Sequence, residues 1–320
     1  MNHNKNFSSP SYLFNGHLQS IYPSFFRKVK EVFYERERIF TTDGDFLDLD
    51  WSTTNSPSIA IVSHGLEGSS DSKYVKGITQ LLNQNGWDAL AWNYRSCSGE
   101  LNWKLRSYHS GATEDLDLVI QHALKRNPYQ KVALIGFSLG GNLTLKYAGE
   151  QSSDLDPRIQ KVIAVSAPCD LAASSAYIST GFSRVYEKRF LNTLVPKAIE
   201  KSRKFGYPIK EDITKNLRTI WAFDDLFTAP IHGFRDAADY YRQCSANRFI
   251  PSIEVPTLIL SAWNDPFLAD ECYPFALTKN HPYVTLDVTK EGGHVGFFDG
   301  NKKVYWSEQR MLRFLSQKKT

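Results

Sequence analysis

Short apolar runs with the composition of β-strands alternate with helical patterns along most of this chain. The first two runs flank Asp43-Gly44, a dipeptide typical of hairpin turns, and the later runs are separated by segments long enough for a helix. The predicted strands are 31–40, 45–51, 58–64, 87–94, 131–137, 161–166, 257–262 and 283–288. Because parallel strands need such crossovers, the pattern predicts an α/β fold with an eight-stranded, mainly parallel sheet and helices on both faces.

Two helices between these strands have clear boundaries in the sequence. In 73–85 the apolar residues recur on one helical face, and Gly86 supplies the left-handed residue that ends many helices. Thr113 is predicted to cap the next helix, with Glu114 and Asp115 in a first turn where negative charge suits the helix dipole. Both helices are expected to pack on the sheet.

Residues 171–250 break this alternation, because they contain no convincing buried strand. They are rich in Lys, Arg, Tyr and Phe, a composition that here favours helices and loops. We therefore expect a single domain over 1–320, with a core of about 30–170 and 251–320 and a helical cap inserted at about 171–250.

The composition narrows the class of protein. Hydrophobic residues make up 42% and charged residues 22% of the chain, as in ordinary globular domains, and a net charge of +4 is too small to favour nucleic-acid binding. The N-terminus lacks a secretory signal and no run approaches the ~20 apolar residues that span a bilayer, so we expect a cytoplasmic protein. The cysteines have no C-x-x-C pair, which indicates free thiols and neither a zinc site nor a disulfide framework. They are Cys97, Cys169, Cys244 and Cys272.

The stretch LIGFSLGG, residues 134–141, places a serine at the turn between a predicted strand and a helix. Gly136, Ser138 and Gly140 form the pattern Gly-x-Ser-x-Gly. A turn this sharp forces its central residue into a strained backbone conformation, and small residues two positions away relieve the crowding. Ser138 is therefore the candidate nucleophile, although Gly and Ser also mark ordinary turns.

A serine nucleophile needs a base that accepts its proton, and the base needs a carboxylate that orients it. In a parallel sheet, reactive groups gather at the carboxyl ends of the strands. Asp265 directly follows the seventh predicted strand and His294 follows the eighth, so the candidate triad has the chain order Ser138, Asp265, His294. Asp170, which follows the sixth strand, is the alternative acid.

An oxyanion hole requires two backbone N–H donors directed at the developing charge. We expect one from Leu139, the residue after the nucleophile. The other is expected from the loop after the third strand, with Leu66 as the candidate and Glu67 as its neighbouring alternative. His64 in the same loop is predicted to shape the loop and not to act as a second base.

Other polar residues carry weaker signals. Asp224 and Asp225 could act as paired carboxylates for a metal or for acid–base chemistry, but no histidine or carboxylate cluster accompanies them. Arg95, Ser96 and Cys97 follow the fourth strand and are expected near the mouth of the site. Cys97 lacks a turn that would present it as a nucleophile, so we expect it to pack in the interior.

The predicted cap contains a strongly basic segment. Ten Lys or Arg residues and four Asp or Glu residues occur between Arg184 and Arg218. The interleaved apolar residues are Phe190, Leu191, Leu194, Val195 and Ile199. Two interpretations stay open: a helix that covers the site with its apolar face and keeps its charges in water, or a basic helix that lies on an anionic membrane surface.

Seven blocks of the sequence resemble the YheT-like branch of the α/β-hydrolase family, which includes bacterial esterases, eukaryotic α/β-hydrolase-domain lipases and medium-chain ethyl ester synthases. They run from about residue 14 to 298 and read FNGHLQSIYPSFFR, SHGLEGSSDSKY, NYRSCSGE, GFSLGGNLTLKY, FDDLFTAPIHGF, SAWNDPF and EGGHVGF. The resemblance implies the α/β-hydrolase fold with Ser138, Asp265 and His294 as its triad. It also places Asp224 and Asp225 in the cap, in a structural or substrate-lining role.

Together these features predict a serine esterase that needs no metal or organic cofactor. The expected substrate is a short- to medium-chain acyl ester, a choice that rests on the resemblance and on the apolar cap. Two alternatives stay open. The same triad could transfer an acyl group from acyl-CoA to an alcohol, or the chain could be a non-catalytic module that binds lipid or a partner.

Overall fold

The computed structural model of the protein describes residues 7–29 and 32–317. Within these ranges one eight-stranded sheet has the order β1-β2-β4-β3-β5-β6-β7-β8, and β2 alone runs opposite to its neighbours. The strands are β1 (Glu35–Phe40), β2 (Phe46–Ser52), β3 (Ser58–Ser63), β4 (Asp88–Asn93), β5 (Lys131–Phe137), β6 (Ile159–Val165), β7 (Thr257–Ala262) and β8 (Val284–Thr289). The predicted α/β sheet with its initial hairpin is therefore confirmed, while residue 31 of the first predicted strand lies outside the described residues.

The α-helices lie before, between and after these strands. They are α1 (Gly16–Phe26), α2 (Lys73–Gln84), α3 (Thr113–Arg126), α4 (Leu139–Gln151), α5 (Leu171–Ile178), α6 (Arg184–Phe205), α7 (Glu211–Lys215), α8 (Ile220–Phe223), α9 (Ala229–Ile231), α10 (Ala237–Cys244), α11 (Phe275–Thr278) and α12 (Trp306–Ser316). A π-helical turn, Asp224–Thr228, joins α8 to α9.

Helices cover both faces of the sheet. On one face α2 and α12 pack against the strands, with Ile78, Leu82 and Phe314 in a shared apolar cluster. On the other face α3 and α4 contribute Val119 and Leu143 to a second, larger cluster. The carboxyl ends of the parallel strands stay free of these two layers, and the loops that carry the candidate site begin there.

The start of α3 differs from the prediction. Thr113 is the first residue of the helix and not its cap, because Ala112 holds the cap position without a side-chain bond. Thr113 Oγ1 instead donates to the Glu150 carboxylate of α4 at 2.7 Å. The hydroxyl that was predicted to cap α3 therefore joins α3 to α4. The end of α2 agrees with the prediction, since Gly86 has φ +74°.

The segment between β6 and β7 is helical. Residues 171–250 contain α5 to α10 and no strand, as predicted. The longest of these helices, α6, continues through Pro196 and ends at Gly206, which has φ +66°. Within the described ranges, no helix is both long and apolar enough to cross a membrane.

Candidate active site

Ser138 occupies a strained turn between β5 and α4. Its φ is +53° and its amide donates to the Val165 carbonyl of β6 at 2.8 Å, which fixes the turn to the neighbouring strand. A Cβ at Gly136 would lie 2.1 Å from the Gly140 carbonyl oxygen, and one at Gly140 would lie 2.5 Å from the His64 carbonyl oxygen. Both glycines are therefore required by close backbone approach, which is the physical basis of the Gly-x-Ser-x-Gly pattern.

The structure brings the three residues of the predicted triad together. His294 Nε2 lies 2.9 Å from Ser138 Oγ, and His294 Nδ1 lies 2.8 Å from Asp265 Oδ2 and 3.0 Å from Oδ1. The Asp265 side chain is fully buried and that of His294 is 11% exposed. The arrangement can move a proton from the hydroxyl to the imidazole while the carboxylate holds the second ring nitrogen.

Phe267 holds both the acid and the base. Its amide donates to Asp265 Oδ1 at 2.9 Å, and its ring stacks on the His294 imidazole with centroids 4.0 Å apart. The loop after β7 therefore orients the carboxylate through a backbone bond and restricts rotation of the imidazole through a side chain two residues further on.

The N-terminal helix α1 joins the loops of the acid and the base, a role that the sequence interpretation missed. Gln19 is buried, and its Oε1 accepts from Asn264 Nδ2 and from the Gly292 amide, both at 2.8 Å. Ser20 Oγ accepts from the His294 amide at 2.8 Å. These bonds anchor the residue before Asp265 and the backbone of His294 to one short helix.

The sequence held one indirect signal for this role, because the block FNGHLQSIYPSFFR is part of the family resemblance. The residue types themselves gave none, since neither glutamine nor serine at these positions is marked as a site residue by its chemistry. Their partners lie more than 240 positions away in the chain. Only the folded arrangement reveals the contact.

The loop after β3 has the structural role predicted for His64. Its Nδ1 lies 2.7 Å from the Gly65 carbonyl oxygen, Nε2 accepts from the Tyr94 amide, and burial lowers the pKa of the imidazole to about 4. The Glu67 amide donates to Tyr108 Oη at 2.9 Å and is therefore occupied.

The two amides named for the oxyanion hole remain available. Within the described residues, neither the Leu66 nor the Leu139 amide donates to another protein group. Both residues line the same cavity as Ser138. Leu139 is the first residue of α4, where the backbone N–H groups lack intrahelical acceptors.

The alternative acid and the candidate thiol have other roles. Asp170 caps α5, where its Oδ1 accepts from the Ala173 amide at 3.0 Å, and the carboxylate that reaches His294 Nδ1 is that of Asp265. Cys97 packs against the core as predicted, and burial raises the pKa of its thiol to about 12. The four cysteines are free thiols.

Arg95 lines the cavity but is held by carboxylates of the core. Its guanidinium forms two bonds of 2.8 Å with Asp115 and further bonds with Asp43 and Asp45. Asp115, which was predicted to suit the helix dipole in the first turn of α3, therefore also pairs with the buried Arg95. Ser96, the next residue, has φ +64° and lines the same cavity.

Asp224 and Asp225 do not act as a pair. Asp225 Oδ1 accepts from the Ala237 amide, whereas Asp224 lines the cavity and accepts from Tyr241 Oη at 2.6 Å. Burial raises the pKa of Asp224 to about 6. Within the described residues no cluster of three or more His, Cys, Asp or Glu side chains could hold a metal.

Two cavities meet at Ser138. One, with about 1030 Å³ of space including open solvent, lies beneath α6 and has a mainly apolar wall with side chains such as Leu194 and Phe223. The other, a cleft of about 1460 Å³, lies between α1, the start of α2 and α6, and also reaches His294. An ester whose carbonyl lies at Ser138 could place one half in each.

The apolar face of α6 points into the protein. Leu191, Leu194 and Ala198 pack in one cluster with Phe223 and Phe227, which agrees with the first interpretation of the basic segment. These apolar side chains of α6 are therefore covered by other parts of the protein.

The same helix buries one lysine. Lys201 lines the cavity, its Nζ donates to the Arg106 carbonyl at 2.6 Å, and burial lowers its pKa to about 8. Charge periodicity gave no indication that this lysine would be interior.

Comparisons with known proteins agree with the observed fold. The family model described as alpha/beta hydrolase fold matches residues 61–301. "Putative esterase YheT" of Escherichia coli is 38% identical over 94% of this chain and 90% of its own, and "Monoacylglycerol lipase" of Saccharomyces cerevisiae is 30% identical over 82% of this chain and 60% of its own. An esterase structure from Pyrococcus furiosus aligns with a TM-score of 0.59 at 20% identity, covering 88% of this chain and 90% of that one. The chain belongs to the α/β-hydrolase family, in the branch that contains YheT.

Proposed function

We propose that the protein is a serine esterase that hydrolyses short- to medium-chain carboxylic esters through an acyl-enzyme. The observation that carries the proposal is the pair of hydrogen bonds from Ser138 Oγ to His294 Nε2 and from His294 Nδ1 to Asp265, at 2.9 and 2.8 Å. Such a constellation serves acyl transfer, because the base activates the hydroxyl and the carboxylate stabilises the imidazolium that forms.

In the first half-reaction Ser138 Oγ attacks the ester carbonyl carbon while its proton passes to His294 Nε2. The charge that develops on the carbonyl oxygen is stabilised by the Leu139 and Leu66 amides, a type of contact worth about 10²–10³ in rate for each donor. Collapse of the tetrahedral intermediate breaks the bond to the alkoxy oxygen, and His294 returns the proton to the departing alcohol.

In the second half-reaction water attacks the acyl-enzyme and gives up a proton to His294 Nε2. Collapse of the second tetrahedral intermediate releases the carboxylic acid, and the proton returns to Ser138 Oγ. Asp265 stays ionised and hydrogen-bonded to Nδ1 throughout, so the imidazole keeps the tautomer that the next turnover needs.

The two cavities support a division of the substrate. The apolar cavity under α6 suits an acyl chain, because most of its exposed wall is apolar. The cleft between α1 and α6 has hydroxyl-bearing and charged side chains, including Ser24, Thr193 and Arg189, and suits the alcohol portion. Relatives named esterase and monoacylglycerol lipase support an ester substrate.

We further propose that the chain is one catalytic domain in which residues 171–250 form the cap. The cap supplies one wall of the apolar cavity through α6 and the π-helical turn, while the core supplies Ser138, Asp265 and His294. On this division, substitutions in the cap change the preferred acyl chain, and substitutions in the core change the chemistry.

Labelling with a fluorophosphonate tests the nucleophile. Ser138 should displace fluoride and gain one phosphonyl group by intact mass, and S138A should gain none. S174A is the matched control, because Ser174 lines the same cavity and should leave labelling intact. Absence of an adduct on folded wild-type protein would contradict the proposal and favour a non-catalytic binding module.

A series of p-nitrophenyl esters of increasing acyl length then tests the substrate. A maximum in kcat/KM at short to medium length is expected from the enclosed cavity. Product analysis with added ethanol distinguishes hydrolysis, which releases the free acid, from acyl transfer, which makes the ethyl ester. Predominant ethyl ester would replace the hydrolase proposal with the transferase alternative.

A further inference from the structure

Helix α1 ends in a group of exposed aromatic side chains. Tyr12, Phe25 and Phe26 are 57%, 65% and 66% exposed, and Tyr22 links two of them through ring contacts of 6.0 Å to Tyr12 and 5.1 Å to Phe26. These four residues are called the aromatic rim below. Phe25 precedes Phe26 in the chain, and neighbouring exposed aromatic side chains of this kind often mark an interaction surface.

The aromatic rim borders the route to the candidate active site. Phe25 lines the same cleft as Ser138 and His294, together with Arg189 of α6. The tilt of α1 that presents these rings is fixed by the bonds of Gln19 and Ser20 to the acid and base loops. A surface that contacted the rim would therefore cover the entrance of the cleft.

Positive charge surrounds the aromatic rim. Lys28 and Arg189 are exposed and form no ion pair with any residue that the structure describes, and Lys73 Nζ donates to the Ser24 and Phe25 carbonyls. The acids of the cleft are paired with lysines of the same chain. Asp71 pairs with Lys76 at 2.7 Å, and Glu67 pairs with Lys197 at 2.9 Å.

We infer that the aromatic rim docks the protein on the surface of an anionic lipid bilayer, with the cleft facing the membrane. Phe25 and Phe26 would enter the boundary between headgroups and acyl chains, and Lys28 and Arg189 would contact anionic headgroups. Peripheral proteins bind membranes through the same two contributions, the burial of apolar side chains and the electrostatic attraction of basic side chains to anionic lipids. The docking surface is α1 and not the apolar face of α6, which packs inside the protein.

Sedimentation with sucrose-loaded vesicles tests the inference. S138A protein is used throughout, so that lipid turnover cannot alter the vesicles and the result does not depend on the esterase proposal. Binding is expected to phosphatidylcholine vesicles that contain about one-third phosphatidylglycerol, and it should weaken when salt rises from about 0.1 M to about 1 M. Absence of binding to these vesicles, or binding unchanged by salt and by lipid charge, would overturn the inference.

Paired variants locate the surface. F25A/F26A and K28Q/R189Q should each weaken vesicle binding by about tenfold. The aromatic control is F33A/F40A, since Phe33 and Phe40 are 85% and 64% exposed beside the opposite edge of the sheet. The charge control is K125Q/K131Q, which removes two exposed lysines at the amino end of β5. Circular dichroism checks that each variant is folded, and equal losses in the controls would overturn the inference.

Discussion

The loops at the carboxyl ends of the strands and the helical segment 171–250 meet at Ser138, yet different forces hold them. The loops are fixed by directed hydrogen bonds, among them those of Asp265, Gln19 and Ser20, and by backbone at positive φ. The helical segment is tied to the core by bonds such as that from Ser183 Oγ to the Pro266 carbonyl, but it also has an apolar cluster of its own around Phe223 and encloses buried ionisable groups. The difference teaches that directed bonds fix the candidate triad, whereas the wall of the apolar cavity depends more on the shapes of packed side chains.

The largest effect is expected at the carboxylate of the loops. D265N keeps the size of the side chain but cannot hold the reactive tautomer of His294, so kcat should fall by about 10⁴. D170N is the control: Asp170 only caps α5, and asparagine caps helices equally well. Steady-state kinetics with a p-nitrophenyl ester measures both, and a loss below tenfold in D265N would remove Asp265 from the triad.

The buried lysine of α6 should make the stability of the protein depend on pH. Because burial lowers the folded-state pKa of Lys201 to about 8, the unfolded chain binds more protons at this residue between that value and its ordinary pKa of 10.5. The contribution of Lys201 to the free energy of unfolding should therefore rise with pH across this window, by roughly 3 kcal/mol.

Chemical denaturation at several pH values checks this in wild type and K201M. The difference between the two proteins isolates Lys201 from tyrosines and cysteines that titrate in the same range. K188M, at an exposed position of the same helix, should keep the wild-type slope. If the free energy of unfolding changed with pH in the same way in wild type and K201M, folding would not lower the pKa of Lys201.

A smaller effect is expected at α1, the helix that joins the loops of Asp265 and His294. Q19A removes the acceptor shared by Asn264 and Gly292, which loosens the placement of Asp265 and His294, so kcat should fall by about 10–100-fold with little change in KM. Q19E keeps an acceptor oxygen and should recover part of the loss.

The matched control for Gln19 is Q84A, at an exposed position at the end of α2. A merely structural role would lower the melting temperature of Q19A and leave kcat per folded enzyme unchanged. Rates normalised to titrated Ser138 therefore decide between positioning and stability.

The smallest effect is expected where the two regions touch. K197M breaks the pair between α6 and Glu67, the residue next to the proposed Leu66 donor. Because Lys197 is 34% exposed, the stability change should stay below about 1 kcal/mol. The loss in kcat/KM should be no more than about tenfold, and a loss as large as that of D265N would mean that the cap takes part in the chemistry.

Local patterns were sufficient for the sheet and for choosing the three residues of the candidate triad. Strand runs, helix faces and the Gly-x-Ser-x-Gly turn depend on neighbours within a few residues, and reactive groups at strand ends follow from the parallel topology. The prediction that Thr113 caps α3 was wrong for a physical reason. Its hydroxyl bonds to Glu150 on another helix, and a local sequence pattern contains no information about that partner.

The sequence by itself determined the fold class and the chain order of Ser138, Asp265 and His294, because periodicity and turn chemistry are short-range properties. Tertiary structure alone decided which residues support them, since Gln19 and Ser20 bond to loops more than 240 positions away. It also buried Lys201 on a helix that exposes Lys188 and Lys204, and it placed two cavities at Ser138. The physical reason is that long-range contacts and enclosed volumes depend on how all the elements pack, which is a property of no single segment.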